Sequence, residues 1–130
     1  MVDLLWSDPT DNGEPGIQTH QERDPNGAGS IVKFGPDRVE KFLKTNSLSL
    51  ILRSHQVVMD GYENFADGQM ITFTSSTDYC GTHGNLASML VVSKTLEITP
   101  KIIKPQNKAK QWPDEPLEPV TPPRASKKAL

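Results

Sequence analysis

A single cysteine among 130 residues rules out an internal disulfide and fits a reducing compartment. No apolar run is long enough to cross a bilayer, and the N-terminus lacks the basic-then-apolar layout of a secretory leader. Neither sign of charge dominates: 14 Lys and Arg against 16 Asp and Glu leave a formal −2. So even a balance offers no field to a nucleic acid or an anionic membrane, and neither is expected as a partner. These absences point to the cytoplasm, the nucleus, or both.

Large apolar residues are scarce in two stretches. Residues 10–29 are polar, rich in Pro, Gly, Asn and Asp, with Ile17 the one sizeable apolar side chain. That pattern predicts a long surface loop. Residues 105–130 hold six prolines, several lysines and few apolar residues. Such a segment cannot bury enough surface to offset its ordering entropy, so a disordered tail is expected there. Residues 1–104 then form one partial domain, with residues 30–104 the part able to build a core.

Periodicity sketches the elements. Residues 2–6 read as a strand or strand end, and residues 30–34 as a brief strand. Asp37 is placed to cap a helix whose Val39, Phe42 and Leu43 share one face, ending near Thr45-Asn46. Residues 48–53 form a short apolar run that predicts a buried strand. Residues 61–68 look turn-rich with locally packed aromatics, residues 70–75 look like another strand, and residues 86–93 and 96–103 like a hairpin turning at Ser93-Lys94-Thr95. Strands with an intervening helix give an α/β or α+β class.

The strand at residues 48–53 leads into Arg53-Ser54-His55. A histidine where a strand stops is held rigidly and faces the opening where ligands gather, as a metal ligand requires. On its own, a lone histidine is more often a packed core or surface residue. Asp3-Leu4-Leu5-Trp6-Ser7-Asp8-Pro9, Phe34-Gly35-Pro36-Asp37, the histidine segment, Asp78-Tyr79-Cys80-Gly81 and Lys101-Ile102-Ile103-Lys104-Pro105 occur in this order and at these intervals. Together they resemble the C-terminal part of the catalytic domain of the PPP-type serine/threonine protein phosphatases. Gly35-Pro36-Asp37-Arg38-Val39 and the run from Val58 to Ala66 look most like the kelch-repeat-associated phosphatases of plants and protists.

The resemblance implies a calcineurin-like metallophosphoesterase β-sandwich flanked by helices, of which this chain supplies the C-terminal half. It implies two divalent metals, Mn, Fe or Zn, which activate a water to attack a phosphoserine or phosphothreonine. The Gly-Asp-x-His-Gly, Gly-Asp-x-Val-Asp-Arg-Gly and Gly-Asn-His-Glu blocks that supply most ligands and the acid do not occur here, so Met1 reads as the start of a fragment or truncated product. His55 would be the one metal ligand present. Expected partners are phosphoprotein substrates and the missing N-terminal catalytic half, with kelch repeats in view.

The family places an Arg-Gly pair before the Phe-Gly block, because a guanidinium fork matches two phosphate oxygens. Asn26 stands at that position, and Arg23, three residues earlier, is the candidate substitute. Tyr79 matches the tyrosine that reaches the phosphate. Trp6, Asp8, Asn26, Arg53, Asp78 and Cys80 are expected to line the site, with Asp78 replacing the usual Asn and repelling phosphate somewhat. No His/Asn set supports Cys80 as a nucleophile. His20 and His83 are expected to be solvated loop residues, and Thr121-Pro122-Pro123-Arg124 resembles a proline-directed phosphorylation or docking segment. Two readings remain: the C-terminal portion of a dimetal phosphatase, inactive by itself, or a degenerate, non-catalytic remnant that binds phosphoproteins or partners.

Overall fold

A computed structural model describes residues 1–105, and the expected disordered tail and the Thr121 segment lie outside the described residues. The chain opens with helix α1 (Val2–Trp6) and continues β1 (Asp8–Pro9), β2 (Ile17–Thr19), β3 (Val32–Phe34), helix α2 (Pro36–Asn46), β4 (Ile51–Arg53), β5 (Tyr62–Phe65), β6 (Met70–Phe73), β7 (Ala87–Val92) and β8 (Ile98–Ile103). The class is mixed α+β.

The start is a helix, not the strand predicted for residues 2–6. Leu and Trp carry no β-branch that would favour a strand, and the turn is closed by the Ser7 amide on the Asp3 carbonyl at 3.0 Å. The Ser7 hydroxyl adds a bond to Asp3 Oδ1 at 2.6 Å. Every residue of α1 is exposed.

Three small sheets follow. The first has the order β1-β3-β2, with β1 parallel and β2 antiparallel to β3. The second has the order β4-β6-β5, with β4 parallel and β5 antiparallel to β6. The third is the expected hairpin of β7 and β8, hooked onto the second by the Ser88 amide on the Thr74 carbonyl at 2.7 Å.

The strand expected to be buried is instead at an edge. β4 begins only at Ile51, and Leu48 and Leu52 are about half exposed. The central, buried strand is β6, where Met70 and Ile71 are 1 % exposed. An apolar run reads the same whether it is buried or lies at a half-covered edge, which is why periodicity misplaced it. Residues 62–65, expected as turn, pair as β5 with β6, and Phe65 packs on the central cluster.

α2 is capped differently from expectation. Gly35 is the N-cap and Pro36 takes the first turn, where its missing N–H costs nothing. Asp37 instead accepts from the Gly16 amide at 2.6 Å, tying the helix to the 10–29 loop. A side chain at Gly35 would strike the backbone of Glu14 and Pro15, so that seam requires glycine. Val39 and Leu43 are buried against Met70, Phe34, Ile51 and Phe65, whereas Phe42 is half exposed at the rim.

Candidate phosphate site

The site is built on Asp8, the first residue of β1. Its side chain is 2 % exposed, yet both oxygens are occupied. Oδ1 accepts from Arg53 Nη2 at 2.8 Å, and Oδ2 accepts from Arg23 Nε and His20 Nε2, each at 2.8 Å. Burial alone would raise the Asp8 pKa, but the bonds from His20, Arg53 and Arg23, together with the Arg23 charge, hold it below the ordinary carboxylate value. The carboxylate is therefore an ionised anchor at neutral pH.

The loop before β3 delivers two of those donors together. The His20 carbonyl accepts the amides of Arg23 and Asp24 at 3.2 and 2.7 Å, which closes a turn placing both side chains on Asp8. Buried Asp24 then accepts from the amides of Ala28 and Ser30 at 3.1 and 3.3 Å. So the 10–29 segment carries strand β2 and a hydrogen-bonded turn, and His20 is 2 % exposed rather than solvated as expected. Its apolar poverty suggested solvent because polar side chains can also be buried against one another when every oxygen is bonded.

Arg23 spends only Nε on Asp8. Its two Nη groups have no hydrogen-bond partner among the described residues, and its guanidinium lies over the Trp6 ring at 5.7 Å. Trp6 in turn meets the His55 ring edge-on, with centroids 5.2 Å apart at 87°. Trp6, Arg23, His55, Gln56, Val57, Tyr79 and His83 line one cavity of about 580 Å³. His55 has φ +85°, a left-handed conformation that an L-residue adopts at some cost. Desolvation first, and the Arg23 charge second, lower its pKa, so the ring is neutral at pH 7.

The opposite wall is the 3-10 turn Tyr79–Gly81. Asp78 and Cys80 both have positive φ, at 44° and 56°. Asp78 is not a cavity wall: its carboxylate accepts the Gly84 amide at 2.8 Å and pins the loop. The buried side chain of Asn85 accepts the Tyr79 amide at 2.9 Å and fixes the turn from below. Beside it, His83 Nδ1 donates to the Tyr79 carbonyl at 2.9 Å, and the two rings meet edge-on at 5.6 Å.

Of the expected site residues, Trp6, Arg23, His55 and Tyr79 meet in this cavity. Asp8 lies beneath it, and Arg53 serves Asp8 while lining a separate apolar groove. Asn26 and Cys80 are exposed and are not among the residues lining the cavity. Sequence reasoning missed His20, Gln56, Val57 and His83. Gln56 and Val57 follow His55 directly, and His83 lies one turn beyond Tyr79, so proximity to the motifs was the available signal.

Among the described residues no group of three or more His, Cys, Asp or Glu could hold a metal ion. The residues present do not make a two-metal centre: His55 is one free imidazole, and both Asp8 oxygens already accept bonds from Arg53, Arg23 and His20. Nor is any described helix long and apolar enough to cross a membrane.

No family model matches the chain. It is 46 % identical over 116 residues to the serine/threonine-protein phosphatase BSL2 of Arabidopsis thaliana, a match covering 88 % of this chain and 11 % of that protein. Its fold superposes with TM-score 0.64 and 27 % identity on a protein serine/threonine phosphatase from Saccharomyces cerevisiae with similarity to human phosphatase PP5, covering 87 % of this chain and 35 % of that one. The chain thus spans about a tenth of the curated relative and a third of the solved chain. Motif order, fold and these two likenesses agree that the chain belongs to the PPP family of serine/threonine phosphatases, corresponding to the C-terminal part of their catalytic domain.

Proposed function

We propose that this chain supplies the phosphate-facing C-terminal portion of a dimetal-dependent protein serine/threonine phosphatase. What carries the reading is the single cavity shared by Arg23, His55, Tyr79 and Trp6. The two free Nη groups of Arg23 are a planar donor pair matched to two phosphoryl oxygens. The Tyr79 hydroxyl is a third donor on the facing wall. His55, neutral and held by Trp6, offers a nitrogen lone pair as a metal ligand does. Metals, commonly Mn, Fe or Zn, would supply the activated water, and their other ligands would come from the N-terminal half of such a domain. By itself the chain binds such metals weakly and does not turn over substrate. The substrates are phosphoserine and phosphothreonine proteins, and kelch repeats are a further expected neighbour.

The test is complementation. The chain is co-expressed with the N-terminal catalytic half of a phosphatase relative, Mn is added, and hydrolysis of a phosphothreonine peptide is followed. Turnover that His55→Ala abolishes supports the enzyme. A second reading, a non-catalytic phosphoprotein- or partner-binding module, is favoured by the lack of any three-ligand group among the described residues. It predicts binding of the phosphorylated peptide over its unphosphorylated form with no turnover in any metal.

A further inference from the structure

We infer that His20 is a positioning residue that keeps the Arg23 guanidinium presented to the cavity by occupying one face of Asp8. The inference rests on the phosphate-site reading above.

A buried carboxylate flanked by an arginine ordinarily pairs with it through two parallel bonds. Such a fork would consume an Nη of Arg23 and draw the group down onto Asp8. Here a second Arg23 bond would have to compete with donors already in place. Arg53 fills Oδ1 from one side, and His20 Nε2 shares Oδ2 with Arg23 Nε, both at 2.8 Å. Arg23 therefore reaches the carboxylate through Nε alone and keeps its outer nitrogens for a ligand. The His20 ring is 2 % exposed, and its bond to Asp8 is the one side-chain hydrogen bond it makes among the described residues. The same turn that ties Arg23 and Asp24 to the His20 carbonyl sets the two side chains three residues apart, both aimed at Asp8. The spacing compensates for Asn26 at the position where the family carries its arginine: the guanidinium arrives from another point of the chain, and His20 sets its reach.

The test uses the full 130-residue chain with ¹⁵N-detected arginine side-chain resonances and titration with inorganic phosphate, in the parent and in H20A, H20Q and R23A. In the parent, the Arg23 Nε–H signal is protected and shifted by its bond to Asp8. H20A is expected to release the Arg23 Nη groups to Asp8, changing the Nε and Nη signals together and weakening phosphate at least fivefold. H20Q, whose amide reaches Oδ2 as an equivalent donor, restores both. If H20A leaves the Arg23 signals and phosphate affinity within twofold of the parent, or H20Q behaves as H20A does, the inference is overturned. Should H20A not fold, H20Q alone decides by keeping or losing the parent's Arg23 signature. Phosphate affinity unchanged in R23A would instead sink the phosphate-site reading, while the arginine signals still judge His20.

Discussion

The two sides of Asp8 are built to opposite rules. Around its carboxylate, the 20–24 turn bonds Oδ2 and Arg53 of β4 bonds Oδ1, and the charged groups lock one another in place. Toward α1 and α2, a groove of about 390 Å³ lined by Leu4, Phe34, Val39, Phe42, Ile51 and Met70 stands open, with Leu4 81 % exposed. The polar side is complete within this chain, whereas the apolar side is half built. Binding geometry therefore depends on residues in hand, and overall stability depends on how much of the small Val39–Leu43–Met70 cluster survives.

The largest break comes from the polar side. Asp8→Ala leaves two guanidiniums and an imidazole facing an empty acceptor, and should cost about 3–5 kcal/mol in urea unfolding. A loss under about 1 kcal/mol would mean the buried network is not a structural anchor.

On the apolar side, burial separates two substitutions of similar size. Met70→Ala, at a 1 % exposed position in the central strand, should cost about 2–4 kcal/mol. Leu4→Ser, on the open groove wall, should change stability by no more than about 0.5 kcal/mol. If Leu4→Ser costs as much as Met70→Ala, the groove is covered in solution and the contrast fails.

Acid sharpens the comparison. The Asp8 pKa is lowered on folding, so its contribution is present above the unfolded value, near 4, and is lost as pH falls through the folded one. The His55 pKa is also lowered, so its neutral ring costs nothing above the unfolded value of about 6.5 and becomes a burden as pH drops below it. Thermal melts from pH 8 to 3 should show a shallow loss below 6.5 that His55→Gln removes, then a steeper one setting in below about 4 that Asp8→Asn removes.

The smallest effect is the most telling about His55. Its φ of +85° suits glycine, so in His55→Gly the relieved strain, about 1 kcal/mol, offsets the lost Trp6 contact and stability should hold within about 0.5 kcal/mol. A residue kept in a strained conformation with no stabilising return is held there for its chemistry. A loss above about 2 kcal/mol would make it a packing residue instead.

Much of this was readable in the chain. The five motif blocks pointed to Trp6, His55 and Tyr79, and Arg23 is the candidate three residues before Asn26; the structure lines one cavity with all four. The hairpin and α2 followed from alternation and i, i+3, i+4 spacing. What sequence could not supply was long-range polar pairing. Nothing local to His20 or Asp78 says that one will bond Asp8 or that the other will pin the Gly84 amide, because both facts depend on partners set by the fold. The edge position of β4 was hidden for a similar reason: an apolar strand looks alike with one neighbour or two.

The most direct measurement is chemical-shift mapping of a phosphothreonine peptide on the isotope-labelled chain. Saturable shifts confined to Trp6, Arg23, His55, Tyr79 and their immediate neighbours, absent with the unphosphorylated peptide, are what the shared cavity requires. Shifts confined to the Leu4–Phe42 groove, or none at millimolar peptide, would contradict it.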